Sequence, residues 1–158
     1  MRLHRGLRDI EGLEPQHIPP YVQMGGWYGF RVKYYPERLS GISRETFIAA
    51  LRAEGVRASL ERYPLLHLEP IFSDKSLKIP GGPLRCQYAP RRFYKKGDLP
   101  VTEDVYSRLI AFPKFERKTC WDLIDQYVEA VRKVVENAAE LKKIKGKKFE
   151  VPVEAGTR

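Results

Sequence analysis

The apolar run YPLLHLEPIF, residues 63–72, carries a histidine, His67, at its centre. His67 is the residue of this chain most suited to chemistry. Pro64 and Pro70 lie near its ends, and a proline restricts its own φ and favours extended geometry in the residue before it. This spacing predicts a rigid, extended segment that presents His67 at the edge of a cleft, with Tyr63 nearby. The alternative is a core histidine whose ring is bonded to a backbone carbonyl. One histidine does not decide between the two.

A second group of residues suited to binding lies in RCQYAPRRFYKK, residues 85–96, which interleaves aromatic and basic side chains. Arg91 and Arg92 would suit bidentate contacts with an anionic ligand. The same mixture is typical of sites for single-stranded nucleic acid, where bases stack on aromatic rings and cations contact the backbone. A solvated loop, a flap over an anionic ligand and a nucleic-acid site therefore all stay open.

The net charge of +9 is concentrated in two segments. Residues 85–96 and residues 142–148 hold five basic residues each and no acidic one, which leaves 19 basic against 20 acidic residues in the rest of the chain. The body of the protein is therefore close to neutral. A small basic module for RNA or single-stranded DNA is the alternative function, but a charge confined to one loop and one tail makes nucleic acid the less favoured partner.

The sequence lacks the motifs of several catalytic classes. It contains no G-x-S-x-G turn, Gly-rich phosphate loop, H-E-x-x-H or C-x-x-C, and the spacing of Cys86 and Cys120 does not suggest a metal site. No run approaches the ~18 apolar residues of a membrane span, and the N-terminus does not resemble a secretory signal, so we expect a soluble, cytoplasmic protein. One asparagine and four glutamines suggest a thermophile-like composition.

Periodicity and capping signals predict the elements that position these residues. In the N-terminal third we expect a helix over residues 1–12 that ends at Gly12, a rigid connector PQHIPP, and a strand in WYGFRVKYY. One face of that strand should be buried, because apolar residues alternate with polar ones or glycine. Its buried residues would be Tyr28, Phe30, Val32 and Tyr34.

The rest of the chain predicts a Ser43-capped helix ending at Gly55, a short strand VRASL, a long loop over residues 63–99, a helix LPVTEDVYSRL and a strand LIAFP. A last amphipathic helix begins at Thr119, with Asp122 completing a capping box. Its buried stripe would be Trp121, Ile124, Val128, Val131, Val135 and Ala138. This order predicts an α/β (α+β) fold with a small, largely antiparallel sheet covered by helices on one face.

Taken in order, WYGFRVKYYPERLSGISRETFIAALRAEGV, YPLLHLEPIF and LPVTEDVYSRLIAFPKF, followed by an amphipathic helix, resemble the C-terminal small domain of the DegT/StrS family of PLP-dependent sugar aminotransferases. The shared features are the Ser-capped helix ending in Gly-Val, the Pro-x-x-His-x-x-Pro run, the Leu-Pro helix and the Leu-x-x-x-Pro strand. The resemblance covers about residues 1–138, and MRLHRGLRDIEGLEP resembles the end of the helix that leads into this domain. The basic loop 85–96 has no clear counterpart.

The resemblance implies the small-domain fold of aspartate-aminotransferase-like enzymes over residues 1–141, with a basic, frayed tail over residues 142–158. In that family the Schiff-base lysine and the cofactor phosphate site belong to a large N-terminal domain, so we expect this chain alone to bind no pyridoxal phosphate (PLP) and to be inactive. It would close over the active site of a large domain on a separate chain, or self-associate as an assembly subunit. Tyr63, His67 and, more remotely, Arg91 and Arg92 would line the substrate cleft, with no catalytic or metal-binding residue. The acceptor would be a keto-sugar or, by a slight preference, a keto-cyclitol.

Overall fold

The computed structural model describes residues 2–23, 28–73, 93–115 and 120–143. Two compact units account for the chain: the first takes in residues 1–60 and 108–158, and the second residues 61–107. Most of the predicted tail, residues 144–158, lies outside the described residues, as do residues 74–92 of the long loop. Lys142 and Lys143, the first residues of that tail, end the last described helix.

In chain order the described elements are α1 (Arg2–Arg8), β1 (Leu13–Pro15), β2 (Phe30–Tyr34), a 3-10 helix (Pro36–Arg38), α2 (Arg44–Ala53), β3 (Ser59–Leu60), a second 3-10 helix (Leu66–Leu68), α3 (Pro70–Ser73), α4 (Pro100–Arg108), β4 (Leu109–Phe112), α5 (Trp121–Glu136) and α6 (Ala138–Lys143). The strands form one sheet in the order β1-β2-β4-β3, with every neighbouring pair antiparallel. The predicted α/β (α+β) class is confirmed.

The register of the sheet places its apolar residues on one face. Phe30 lies opposite Phe112, and Val32 lies opposite both Pro15 and Ile110, so the buried side chains of three strands meet. Residues of α1, α2 and α5 join them in a single core, in which the Tyr34 ring stacks on Phe47 with centroids 4.8 Å apart. Burying an apolar side chain of this size contributes roughly 1.5–3 kcal/mol, so this face accounts for much of the stability of the first unit.

Strand β1 was not predicted, since the first helix was expected to end at Gly12 and the connector PQHIPP to begin at Pro15. Pro15 is compatible with pairing here because β1 is an edge strand, where one side of the backbone needs no partner. Glu14 lies directly opposite Lys33 in the register, and its carboxylate accepts a bond from Lys33 Nζ at 3.2 Å and another from the Tyr35 hydroxyl. The Tyr35 hydrogen bond, with Lys33 assisting, holds the pKa of Glu14 below its usual value. A cross-strand pair therefore secures a strand of only three residues.

Two of the predicted buried stripes need correction at their ends. Tyr28 precedes β2 and is 77% exposed, whereas Phe30, Val32 and Tyr34 are buried as predicted. Trp121, in the first turn of α5, is 53% exposed, and the guanidinium of Arg2 lies 5.5 Å from its ring centroid. Tyr127 and Val134 belong to the buried stripe of α5, and Val135 is only partly buried.

The ends of the helices also refine the prediction. Helix α2 begins after Ser43, whose hydroxyl accepts a bond from the Thr46 amide at 3.1 Å, as the capping signal indicated. The C-terminal helix is interrupted at Asn137, which separates α5 from α6. Cys120 occupies the N-cap of α5 without a side-chain bond, and Thr119, the predicted cap, lies outside the described residues. None of the described helices is both long and apolar enough to cross a membrane.

Gly12 does not end α1, which stops at Arg8, but it forms the turn that leads into β1. Its φ of +75° lies in the left-handed region, and a Cβ atom at this position would approach Leu39 Cγ to 2.5 Å. The Gly12 carbonyl also accepts a bond from the Tyr35 amide at 2.9 Å. Gly12 therefore contributes to the turn into β1 and not to the end of α1.

We expect Gly12→Ala to lower the free energy of unfolding by about 2–4 kcal/mol, because it combines backbone strain with a steric clash. Gly55→Ala is the matched control: its φ is +86°, but no atom lies within 4 Å of the added methyl group, so strain alone should cost about 1–2 kcal/mol. Urea unfolding of both variants measures the difference. Equal losses would show that the contact with Leu39 costs nothing.

Candidate functional site

His67 lies in the 3-10 helix Leu66–Leu68 and not in the extended segment that the prolines predicted. The backbone is extended at Leu65 and Glu69, which lie on either side of the turn. Within the turn, the Leu68 amide donates to the Leu65 carbonyl at 2.9 Å. Pro70 explains the extended geometry of Glu69 and then begins α3. The prolines therefore restrict the ends of the segment, while its centre folds into a turn.

The side chain of His67 is buried, with 7% of the residue exposed. Its Nε2 atom lies 3.0 Å from Oε1 of Glu103, in the first turn of α4. The edge of its ring meets the ring of Tyr94, with centroids 6.3 Å apart and planes at 80°. The polar requirement of this buried ring is met by a carboxylate, and not by the backbone carbonyl that the alternative interpretation supposed.

The carboxylate of Glu103 also binds the backbone that precedes its own helix. It accepts from the Gly97 amide at 2.8 and 3.0 Å and from the Leu99 amide at 3.4 Å. The amides at a helix start have no partner within the helix, and a carboxylate in the first turn can satisfy them. These hydrogen bonds hold the pKa of Glu103 below its usual value. The Gly97 amide has the largest effect, followed by His67 and Leu99.

Tyr63 was predicted near His67, and its place at a cleft wall stays a prediction. Tyr63 is 44% exposed, its hydroxyl accepts a bond from Arg62 Nη2 at 2.7 Å, and the guanidinium lies 4.9 Å from the ring centroid. The aromatic ring that the structure brings onto His67 is that of Tyr94. The other predicted site residues, Arg91 and Arg92, lie outside the described residues, so their role stays a prediction.

Glu103 and Tyr94 are the members of this cluster that the sequence analysis did not identify. A signal was available for Glu103, since an acidic residue in the first turn after Leu99 and Pro100 is typical of a helix start. Its bond to His67 spans 36 positions in the sequence, and no local pattern indicates such a contact. Tyr94 lies in the segment 85–96, whose interleaved aromatic and basic residues were considered for ligand or nucleic-acid binding and not for a contact with His67.

Comparison with known proteins gives two distant relatives. The chain is 32% identical over 127 residues to an uncharacterized protein of Methanocaldococcus jannaschii, a match that covers 80% of this chain and 28% of the relative. It is 29% identical over 150 residues to a proposed L-glutamine:3-amino-2,3-dideoxy-scyllo-inosose aminotransferase of Streptoalloteichus tenebrarius, which covers 89% of this chain and 34% of that protein. No family model matches the chain.

The chain therefore spans about a third of the length of the curated relatives it matches. Its similarity to the Streptoalloteichus protein extends over nearly the whole chain and loosely suggests the aminotransferases that act on cyclitols. A distant relative of that kind suggests PLP as a cofactor in that family of proteins.

The described lysines do not fit a PLP site. A Schiff-base lysine is held in a shielded pocket, where desolvation keeps part of it uncharged. Every lysine in the described ranges is at least partly exposed, and Lys33 and Lys133 are also paired with Glu14 and Glu54. No group of three or more potential metal ligands occurs in the same ranges.

The lowered pKa of Glu103 predicts how the stability of this cluster depends on pH. A carboxyl group whose pKa falls on folding stabilises the protein above its ordinary value of 4.5, and this stabilisation is lost as the pH falls through the lower folded value. We therefore expect Glu103→Gln to reduce the free energy of unfolding at pH 7, and the difference from wild type to shrink below about pH 4.5. Denaturant titrations from neutral to acidic pH measure it.

Glu129→Gln is the matched control, because Glu129 lies on the exposed face of α5. It should leave stability unchanged across the same pH range. A loss for Glu103→Gln that stays constant down to pH 2 would contradict the electrostatic origin of the effect.

Proposed function

We propose that this chain is the detached small domain of a PLP-dependent sugar or cyclitol aminotransferase, and that it closes over the active site of a large domain that carries the cofactor. The observation that carries the proposal is the extent of the similarity: 89% of this chain matches 34% of a cyclitol aminotransferase-like protein. An α/β fold with a one-sided antiparallel sheet suits a domain that packs against a larger partner. The ordered series of DegT/StrS-like segments supports the same family.

In this proposal the chain binds and shields the substrate and does not carry the amino group. Closure by a small domain excludes water from a reactive imine and adds contacts to the ligand. His67 is the residue of this chain that we expect at the cleft wall, because it combines an apolar setting with a polar atom held at a defined place. Tyr63, Arg91 and Arg92 would extend the same wall.

The second unit exposes apolar side chains close in sequence to both members of the His67–Glu103 pair. Leu66 precedes His67 and is 67% exposed, and Val101, in the first turn of α4, is 76% exposed. Large exposed apolar side chains are common at interfaces, and about two thirds of each relative lies outside the stretch that matches this chain. The large domain is the partner that we propose, and self-association of this chain is the other outcome.

The central experiment is complementation. The part of the Streptoalloteichus protein outside the matched stretch would be expressed as a separate chain, loaded with PLP, and mixed with this chain. We expect a complex at micromolar concentration that transfers nitrogen from L-glutamine to a keto-cyclitol, and no transfer by either chain alone. Activity of this chain by itself, or no association with the large domain, would refute the proposal.

His67→Gln in that complex should lower kcat/KM about tenfold to a hundredfold, because a polar contact with the substrate is lost while the side chain can still donate to Glu103. His17→Ala, at an exposed position of the first unit, is the control and should have no effect. Thermal unfolding of both variants separates a loss of contact from a loss of folding. Unchanged kinetics for His67→Gln would remove His67 from the cleft wall.

Val101→Asp tests the proposed interface. An aspartate in the first turn of a helix is favourable for the helix itself, so α4 should stay folded while a charge enters the apolar contact. We expect the dissociation constant of the complex to rise at least about tenfold, with Val101→Thr close to wild type. Sedimentation or calorimetry measures it, and equal affinity for both variants would place Val101 outside the interface.

A further inference from the structure

Glu103 connects two parts of the second unit through one carboxylate. One oxygen, Oε1, lies 3.0 Å from His67 Nε2, and both oxygens accept from the Gly97 amide. Within the described part of the chain, the hydrogen bond of the His67 side chain is made through Nε2. The orientation of the imidazole is therefore tied to the chain that leads into α4.

The chemistry of this contact defines which ring nitrogen carries a proton. The lowered pKa of Glu103 keeps its side chain ionised at neutral pH, and an ionised carboxylate only accepts hydrogen bonds. Nε2 of His67 must therefore be the donor. In the neutral ring the other nitrogen, Nδ1, has no proton and is an acceptor.

Several contacts restrict movement of both partners. The turn before α4 contains Gly97 at φ +93°, and it is closed by the bond from the Lys95 amide to Asp98 Oδ2 at 3.1 Å. The Tyr94 ring packs against the imidazole with the two planes at 80°, and the Tyr94 amide donates to the Phe72 carbonyl at 3.0 Å. A carboxylate held by backbone amides and a ring held by an aromatic neighbour form a defined pair.

From this geometry we infer that Glu103 is a positioning residue for His67: it fixes the proton on Nε2, orients the ring, and leaves Nδ1 as a hydrogen-bond acceptor. The positioning stands on the contacts alone. The next step rests on the proposed function, in which Nδ1 accepts a hydrogen bond from a hydroxyl group of a polyol ligand. Glu103 itself does not contact the ligand.

The test uses the complete 15N-labelled chain without partner or substrate. Nitrogen NMR of the imidazole at mildly alkaline pH should show a ring protonated on Nε2, with an Hε2 proton that exchanges slowly with water because it is held in a hydrogen bond. Glu103→Ala should abolish that slowly exchanging signal and increase exchange of the Gly97 amide at least about tenfold. Glu103→Gln should retain the Hε2 signal, because an amide oxygen still accepts from Nε2.

Glu129→Ala is the control and should leave both signals unchanged. A wild-type ring protonated on Nδ1, or an Hε2 signal that persists in Glu103→Ala, would overturn the inference. If Glu103→Ala does not fold, the wild-type signal and its retention in Glu103→Gln still decide the question. Because no partner takes part, failure of the complementation experiment would leave this result intact, and the reverse also holds.

Discussion

An antiparallel strand directs every second side chain to the same face of its sheet, and the first unit depends on this constraint. The register aligns Phe30 with Phe112 and Val32 with Ile110, so one face is apolar across neighbouring strands and requires helices to cover it. A shift of one residue would turn these side chains to the other face. The hydroxyl of Tyr34, buried in this core, donates to the Ile42 carbonyl at 2.9 Å, and burial raises its pKa far above the usual value. The core therefore tolerates a polar atom only where a partner is provided.

The second unit relies on a different kind of interaction. Its described elements are short and irregular, and none of their apolar side chains is fully buried. Its best-defined feature is polar: the carboxylate of Glu103 joins the His67 turn to the start of α4. A buried polar group is costly unless it is bonded, so such a cluster specifies one arrangement of a segment that has little core of its own.

The difference between the two units is compatible with the proposal that a larger partner carries the cofactor. The first unit has its own core, whereas the second is organised around a histidine and a carboxylate. The similarity to about a third of a proposed aminotransferase gives the proposal its context, since the rest of that protein lies outside the matched stretch.

The sequence by itself determined the elements whose signals are local. The Ser43 cap, the alternation in β2 and the amphipathic stripe of α5 each depend on neighbours within a few residues, so they could be predicted to within a few positions. Tertiary structure decided what depends on distant partners: β1 is a strand because it pairs with β2, where Glu14 contacts Lys33 and Tyr35, and Trp121 contacts Arg2 at the protein surface. It also decided the environment of His67, since the prolines determine only local backbone geometry, whereas the bond to Glu103 requires two segments to meet across 36 positions.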